Sequence, residues 1–178
     1  MTETIAPLLM KWLTHDLATP IATVMTASEL LGPVPDAEIN GLVLDGAKRL
    51  AGRLQIIRAA MAPGSGPMGN AALEKLVRAG LHETPLTWNR TGDSDGALTA
   101  VISGAALLLA DVRRGQPLTV TATGVYCAAP AALPDAVVAS LAGAAPVDAR
   151  SAVAAMLVAS AARAGLVVTA TVDGIAWG

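Results

Sequence analysis

The chain contains no phenylalanine, one tyrosine, three tryptophans, one cysteine and two histidines among 178 residues. Each scarcity removes a class of function. A single cysteine, Cys127, forms neither an internal disulfide nor a cysteine-clustered zinc site, and its ordinary place is as a small buried hydrophobe. So few aromatics leave no platform on which bases would stack. Positive charge is not in excess either. The formal net charge is −2, which supplies no electrostatic reason to bind nucleic acid. Apolar runs such as 97–112 fall short of the roughly 20 residues that span a membrane. The amino-terminal residues lack the basic start and cleavage signature of a secretory signal. A soluble, cytoplasmic protein without internal repeats or low-complexity tails is expected.

Hydrophobic residues make up 53% of the chain, much of it alanine, enough for a substantial core. Apolar residues at Leu9, Leu13, Leu17, Val24 and Leu31 give residues 4–31 a helical period. The segment GPVPD at 32–36 breaks it, because glycine and two prolines cannot continue a helix. Asp36 is placed to cap a second helix, with Glu38 in its first turn. That helix carries Ile39, Leu42, Val43, Gly46, Leu50, Leu54, Ile57 and Met61 on one stripe. Two such helices form an antiparallel hairpin whose apolar surface needs a partner, and a homodimeric four-helix bundle is the simplest cover.

Beyond the glycine- and proline-rich APGSGPMG at 62–69 the pattern changes. A short amphipathic helix (NAALEKLVRAGL) precedes a strand (PLTWN), and a long, nearly all-apolar helix follows a capping Asp or Ser (SDGALTAVISGAALLLADVR), as a buried helix would. PLTVTATGVYCA alternates as strands do, with a turn near Gly124. Helices over 134–142 and 148–164 are expected, then a hairpin with Asp173-Gly174 at its turn. The organisation predicted is α+β: a helical hairpin over 1–63, a linker over 64–69, and an α/β sandwich over 70–178.

The polar residues of WLTHDLATPIATV pose the functional question. At about 100° per residue, Leu13 and Leu17 lie opposite His15, whereas Lys11, Thr19, Ala22, Thr26 and Glu29 share its side. His15 therefore points away from the core. A neutral imidazole is a nucleophile near neutral pH, and the neighbouring Asp16 carboxylate can fix its tautomer. Thr19, one turn on, can hydrogen-bond a phosphoryl group or water. Pro20 removes a backbone donor and predicts a local bend. Antiparallel pairing brings Lys48, Arg49 and Arg53 within about a turn of His15, a cationic collar suited to a phosphoryl group or an acidic partner pocket. His82, in GLHETP, has no such company, and Arg113 and Arg114 are expected to lie far from His15.

HDLATP resembles the H-[ED]-L-x-[TNS]-P phosphoacceptor box of the dimerisation and histidine-phosphotransfer domain of sensor histidine kinases. With LVLDGAKRLAGRLQIIRAAMAPGS, the first third of the chain is similar to ChpT-type histidine phosphotransferases, which join a dimeric hairpin to a degenerate kinase-like ATPase domain. The resemblance implies that His15 is the phosphorylated residue, Asp16 its acidic neighbour and Thr19 the polar residue of the box; Lys11, Lys48, Arg49 and Arg53, placed near His15 by the helix geometry, are expected to face the partner. It implies a homodimer that relays phosphoryl groups between receiver-domain aspartates, including those of response regulators and a hybrid histidine kinase. The receivers would supply magnesium, and no nucleotide cofactor would be used. An ATP-dependent kinase of this class needs an asparagine-bearing helix, a D-x-G-x-G loop and a glycine-rich lid. The buried helix over 97–112 has no asparagine; the three in the chain are Asn40, Asn70 and Asn89. The alternative function is a non-catalytic dimeric module that docks or sequesters a response regulator.

Overall fold

The computed structural model describes residues 2–32, 36–61, 66–130 and 132–178. Helix α1 spans Thr2–Glu29 and α2 spans Ala37–Met61. The helix of α1 continues through Pro7 and Pro20. Most of the breaking segment between the helices (33–35) lies outside the described residues, as do the end of the expected hairpin (62–63) and the start of the expected linker (64–65). Asp36 caps α2 as expected, its Oδ1 accepting from the backbone N–H of Glu38 and Ile39 at 2.8 and 3.1 Å. Among the described residues no helix is long and apolar enough to cross a membrane.

Then come α3 (Asn70–Gly80), β1 (Leu86–Trp88), α4 (Gly96–Val112), β2 (Leu118–Val120), β3 (Gly124–Cys127), α5 (Asp135–Leu141), α6 (Ala149–Arg163), β4 (Val168–Ala170) and β5 (Gly174–Trp177). The strands form one sheet in the order β1-β2-β3-β5-β4, parallel only between β1 and β2. Asp95 caps α4 through Leu98, and Asp148 caps α6 in a reciprocal box with Ser151. The fold is thus α+β: a helical hairpin followed by a mixed region built on a five-stranded sheet.

The position of α4 explains its composition. One side of α4 lies on β2, β3 and β5, its flank on α6, and its outer side against α2. Every residue from Thr99 to Leu109 is consequently buried. Trp12, Ile56, Ile57 and Ala60 of the hairpin belong to the same buried cluster as Leu107, Leu157 and Ile175. The second region therefore covers part of the hairpin's apolar surface, a role the sequence pattern had left to a second hairpin. Small residues permit the approach. A Cβ on Gly52 would strike the backbone of Ala79, and one on Gly80 would strike Ile56. Ile56 fills this joint with no exposed surface. Its truncation to alanine would cost about 2–5 kcal/mol.

Two sequence expectations change here. The chain does contain a repeat: α4-β2-β3 is followed by α6-β4-β5, and residues 118–127 align without a gap on 168–177, matching Thr119, Thr121 and Gly124 to Thr169, Thr171 and Gly174. The two hairpins meet across a local two-fold at the Val125–Ile175 pair. Hydrogen bonds obey it: Cys127 N–H donates to Asp173 O at 2.7 Å and Trp177 N–H to Thr123 O at 2.8 Å. Short strands and divergent side chains conceal the repeat from periodicity alone. The last turn also lies earlier than Asp173-Gly174. Gly174 opens β5, and its missing Cβ makes room for the Val125 carbonyl of the adjacent strand.

Candidate functional site

His15 is exposed on α1, with Lys11, Thr19, Ala22, Thr26 and Glu29 exposed on the same side. Trp12 is 4% exposed, and Leu9, Leu13 and Leu17 pack against the core. The angular reading of α1 therefore agrees with the structure. His15, Asp16 and Thr19 line a cleft of about 500 Å³ between the hairpin and the sheet-bearing region. The imidazole of His15 makes no hydrogen bond or ion pair among the described residues, and neither does the Thr19 hydroxyl, so both are open to an incoming group.

Asp16 is differently placed. Its Oδ2 accepts from Arg53 Nε at 2.6 Å and its Oδ1 from Arg53 Nη2 at 2.5 Å, a fork of two charge-assisted bonds. A third bond carries Arg53 Nη1 to the carbonyl of Gly80 at 3.2 Å. The side chains of Arg53 and Asp16 are only 17% and 13% exposed. One guanidinium thus joins α1, α2 and the end of α3 beside His15. No hydrogen bond joins this carboxylate to His15 among the described residues, and its orientation is set by Arg53 and not by the imidazole.

The expected collar is only partly assembled. Arg49 and Arg53 line the cleft; Lys48 does not, and pairs with Asp45 on open surface at 3.8 Å. Lys11 is exposed, without a hydrogen bond or ion pair among the described residues. The cleft is also less positive than expected, because Asp16, Asp45, Glu83 and Asp111 line it with Arg49, Arg53 and Arg114. All three guanidiniums already have carboxylates: Arg53 with Asp16, Arg49 with Glu83 at 3.3 Å, and Arg114 with Asp111 at 3.3 Å.

The opposite wall comes from residues that local sequence did not mark. Gly80–Thr84, the turn leaving α3, brings His82 and Glu83 into the cleft, and the end of α4 brings Ala110, Asp111, Arg114 and Gly115. His82 is thus a cleft residue rather than an isolated one, and Arg114 is not distant from the site. Asp111 also accepts from Arg150 Nε at 2.9 Å. Burial raises its pKa, but hydrogen bonds and charge from Arg150 and Arg114 outweigh burial and hold the carboxyl below its ordinary range. The small size of Gly52 and Gly80 brings α3 against α2, a contact that neither glycine announces in the sequence. Among the described residues, no group of three or more His, Cys, Asp or Glu side chains is disposed to hold a metal ion.

No family model matches the chain, and no curated protein matches it. Among solved structures, the chain superimposes on that of a bacterial phosphotransferase determined at 1.7 Å, with a TM-score of 0.72 and 20% sequence identity. The match covers 99% of this chain and 96% of the other. Hairpin, α4-centred core and sheet therefore recur as one architecture in the bacterial phosphotransferase, which the chain resembles in fold over nearly its whole length.

Proposed function

We propose that this protein is a histidine phosphotransferase, in which His15 accepts a phosphoryl group from one receiver-domain aspartate and returns it to another. The observation that carries the reading is His15 itself: a solvent-facing imidazole in the HDLATP box, open at a cleft whose walls come from two parts of the fold. The fold shared with a bacterial phosphotransferase supports it. The phosphoramidate bond has high transfer potential, so the protein's task is alignment and charge neutralisation. In this reading the free Thr19 hydroxyl aligns the phosphoryl group, the cleft arginines neutralise its charge, and Asp16, oriented by Arg53, acts on the imidazole and not on the anion. Receiver domains bring the magnesium, and the protein uses no nucleotide. The burial of residues 99–109 of α4 and the lack of an asparagine in that helix support this part of the reading.

The working form in this proposal is a homodimer. Met10, Ile21 and Met25, which are 60%, 43% and 58% exposed, fall on one stripe of α1. That stripe is centred about 110° around the helix from His15, opposite in sense to the Trp12 face. Leu44 and Leu54 of α2 are also uncovered. A second hairpin on these residues hides apolar surface and leaves His15 accessible.

The test is His15→Gln, which should end phosphoryl acceptance from phosphorylated receivers while leaving the circular dichroism spectrum unchanged. A second reading, a module that docks or sequesters a response regulator without chemistry, draws on one observation: every guanidinium in the cleft is already paired. Undiminished receiver binding with an unreactive His15 in the wild-type protein would favour it.

A further inference from the structure

The proposed chemistry brings an anionic phosphoryl group into a cleft whose guanidiniums are all paired with carboxylates, so the anion competes with a carboxylate for whichever guanidinium it takes. The three pairs differ in how readily they exchange. Arg53–Asp16 is forked, short and shielded, and its guanidinium also holds the Gly80 carbonyl. Asp111 is 9% exposed and gripped from two sides by Arg150 and Arg114, and the Arg114 pair is local to the end of α4. Arg49–Glu83 is different. It bridges the two walls through one contact of 3.3 Å, with side chains 45% and 84% exposed. Glu83 has no other hydrogen-bond or ion-pair partner among the described residues.

The geometry points to Glu83 as an internal placeholder for the phosphoryl anion: it holds Arg49 in the empty cleft and yields it when His15 is phosphorylated. This inference rests on the phosphotransfer reading of His15. Arg49 is one turn from Arg53 on the same face of α2. Because Arg53 pairs with Asp16, and Gly46 faces Val24, Arg49 stands opposite Pro20. That level is about 8 Å along the axis from His15, a span that a guanidinium side chain and a phosphoryl group can close between them. A cation held by an exposed carboxylate is already positioned over the cleft, yet it is released for little, since exposed pairs are weak. Glu83 therefore has a double effect: it orders Arg49, and it opposes the entering anion by both competition and repulsion. Arg53, by contrast, is a positioning residue that acts through Asp16 and does not exchange.

Phosphoramidate tests this without a receiver domain. The neutral imidazole nitrogen of His15 attacks phosphorus and a new P–N bond forms. The donor's own P–N bond breaks, and its amine leaves as ammonia with the proton released by the other ring nitrogen. Label on His15 is followed by intact-mass spectrometry at low and high ionic strength. Glu83→Gln should label about two- to five-fold faster at low salt, with the advantage shrinking as salt rises. Glu74→Gln makes the same charge change on α3 outside the cleft, in a residue paired with Arg78, and should leave the rate near wild type. Arg49→Met should be slower than wild type, and Arg49→Met/Glu83→Gln should lose the gain. Equal acceleration by Glu74→Gln, persistence of the gain without Arg49, or no gain at all while His15 still labels would each overturn the placeholder role alone. Absence of label at His15 in every variant would overturn both this role and the phosphotransfer reading.

Discussion

Arg53 grips both carboxylate oxygens of Asp16, the residue next to His15, at 2.6 and 2.5 Å. The register of the hairpin, the docking of α3 and the orientation of the acidic neighbour all pass through this pair. Arg53→Met leaves a shielded carboxylate unpaired, and should cost about 2–3 kcal/mol in denaturant unfolding. Adding Asp16→Leu should restore most of that loss, because the desolvation penalty then disappears. An Arg53→Met variant as stable as wild type would show that the pair does not hold the site together.

Ser103 and Ser140 have buried hydroxyls without a hydrogen-bond partner among the described residues. Both sit inside helices, where alanine is also the better helix former. Ser103→Ala and Ser140→Ala should each stabilise the protein by about 1 kcal/mol, read as a higher melting temperature. A fall in melting temperature would mean that these hydroxyls are satisfied in solution.

Asp111 and Asp148 fix the response to acid. Burial raises the pKa of Asp111, and its arginine partners more than offset this; backbone donation from Ser151 is the largest influence on Asp148 and lowers it. A carboxyl with a depressed folded pKa stabilises the fold fully above its unfolded value, near 3.8, and the contribution disappears as pH falls through the folded value. Stability should therefore drop as pH falls below about 4, with proton uptake on unfolding. Asp111→Asn should flatten that part of the profile; an unchanged slope in urea titrations across pH would contradict the assignment.

Ile21 and Met25 are solvent-facing in the single chain, so charging them should not harm its core. Ile21→Glu/Met25→Glu should convert the proposed dimer to a folded monomer, measured by sedimentation velocity. Leu50 of the α2 stripe, by contrast, is half-buried within its own hairpin, so charging it would disturb the single chain as well. A dimer that survives the double change would place the interface elsewhere.

Much of this architecture was legible because local rules and tertiary packing agree. Asp36, Asp95 and Asp148 announce helix starts, and the apolar run in α4 announces burial on every side. The stripe opposite Leu13 and Leu17 placed His15 in solvent, and antiparallel pairing brought Arg49 and Arg53 near it. What periodicity could not supply was the identity of the layer covering α2. Gly52 and Gly80 matter only through the helix each meets, so neither marks α3 as a neighbour. Without that neighbour, His82 and Glu83 look like an ordinary turn, and the arginines look unpaired. The strands escaped a repeat search because each hairpin is short and only a few residues coincide, although its hydrogen bonds repeat faithfully.

Transfer from a phosphorylated receiver domain to His15 tests the central claim most directly. The protein would be mixed with a panel of receivers carrying labelled aspartyl phosphate and magnesium, without ATP, and the label mapped by peptide mass spectrometry. The account predicts an acid-labile, base-stable phosphoryl group on His15 from at least one receiver, its return to a second receiver, and no label in His15→Gln. Label appearing on His82 or elsewhere with His15 unmodified, or complexes with receivers that never label the protein, would contradict it.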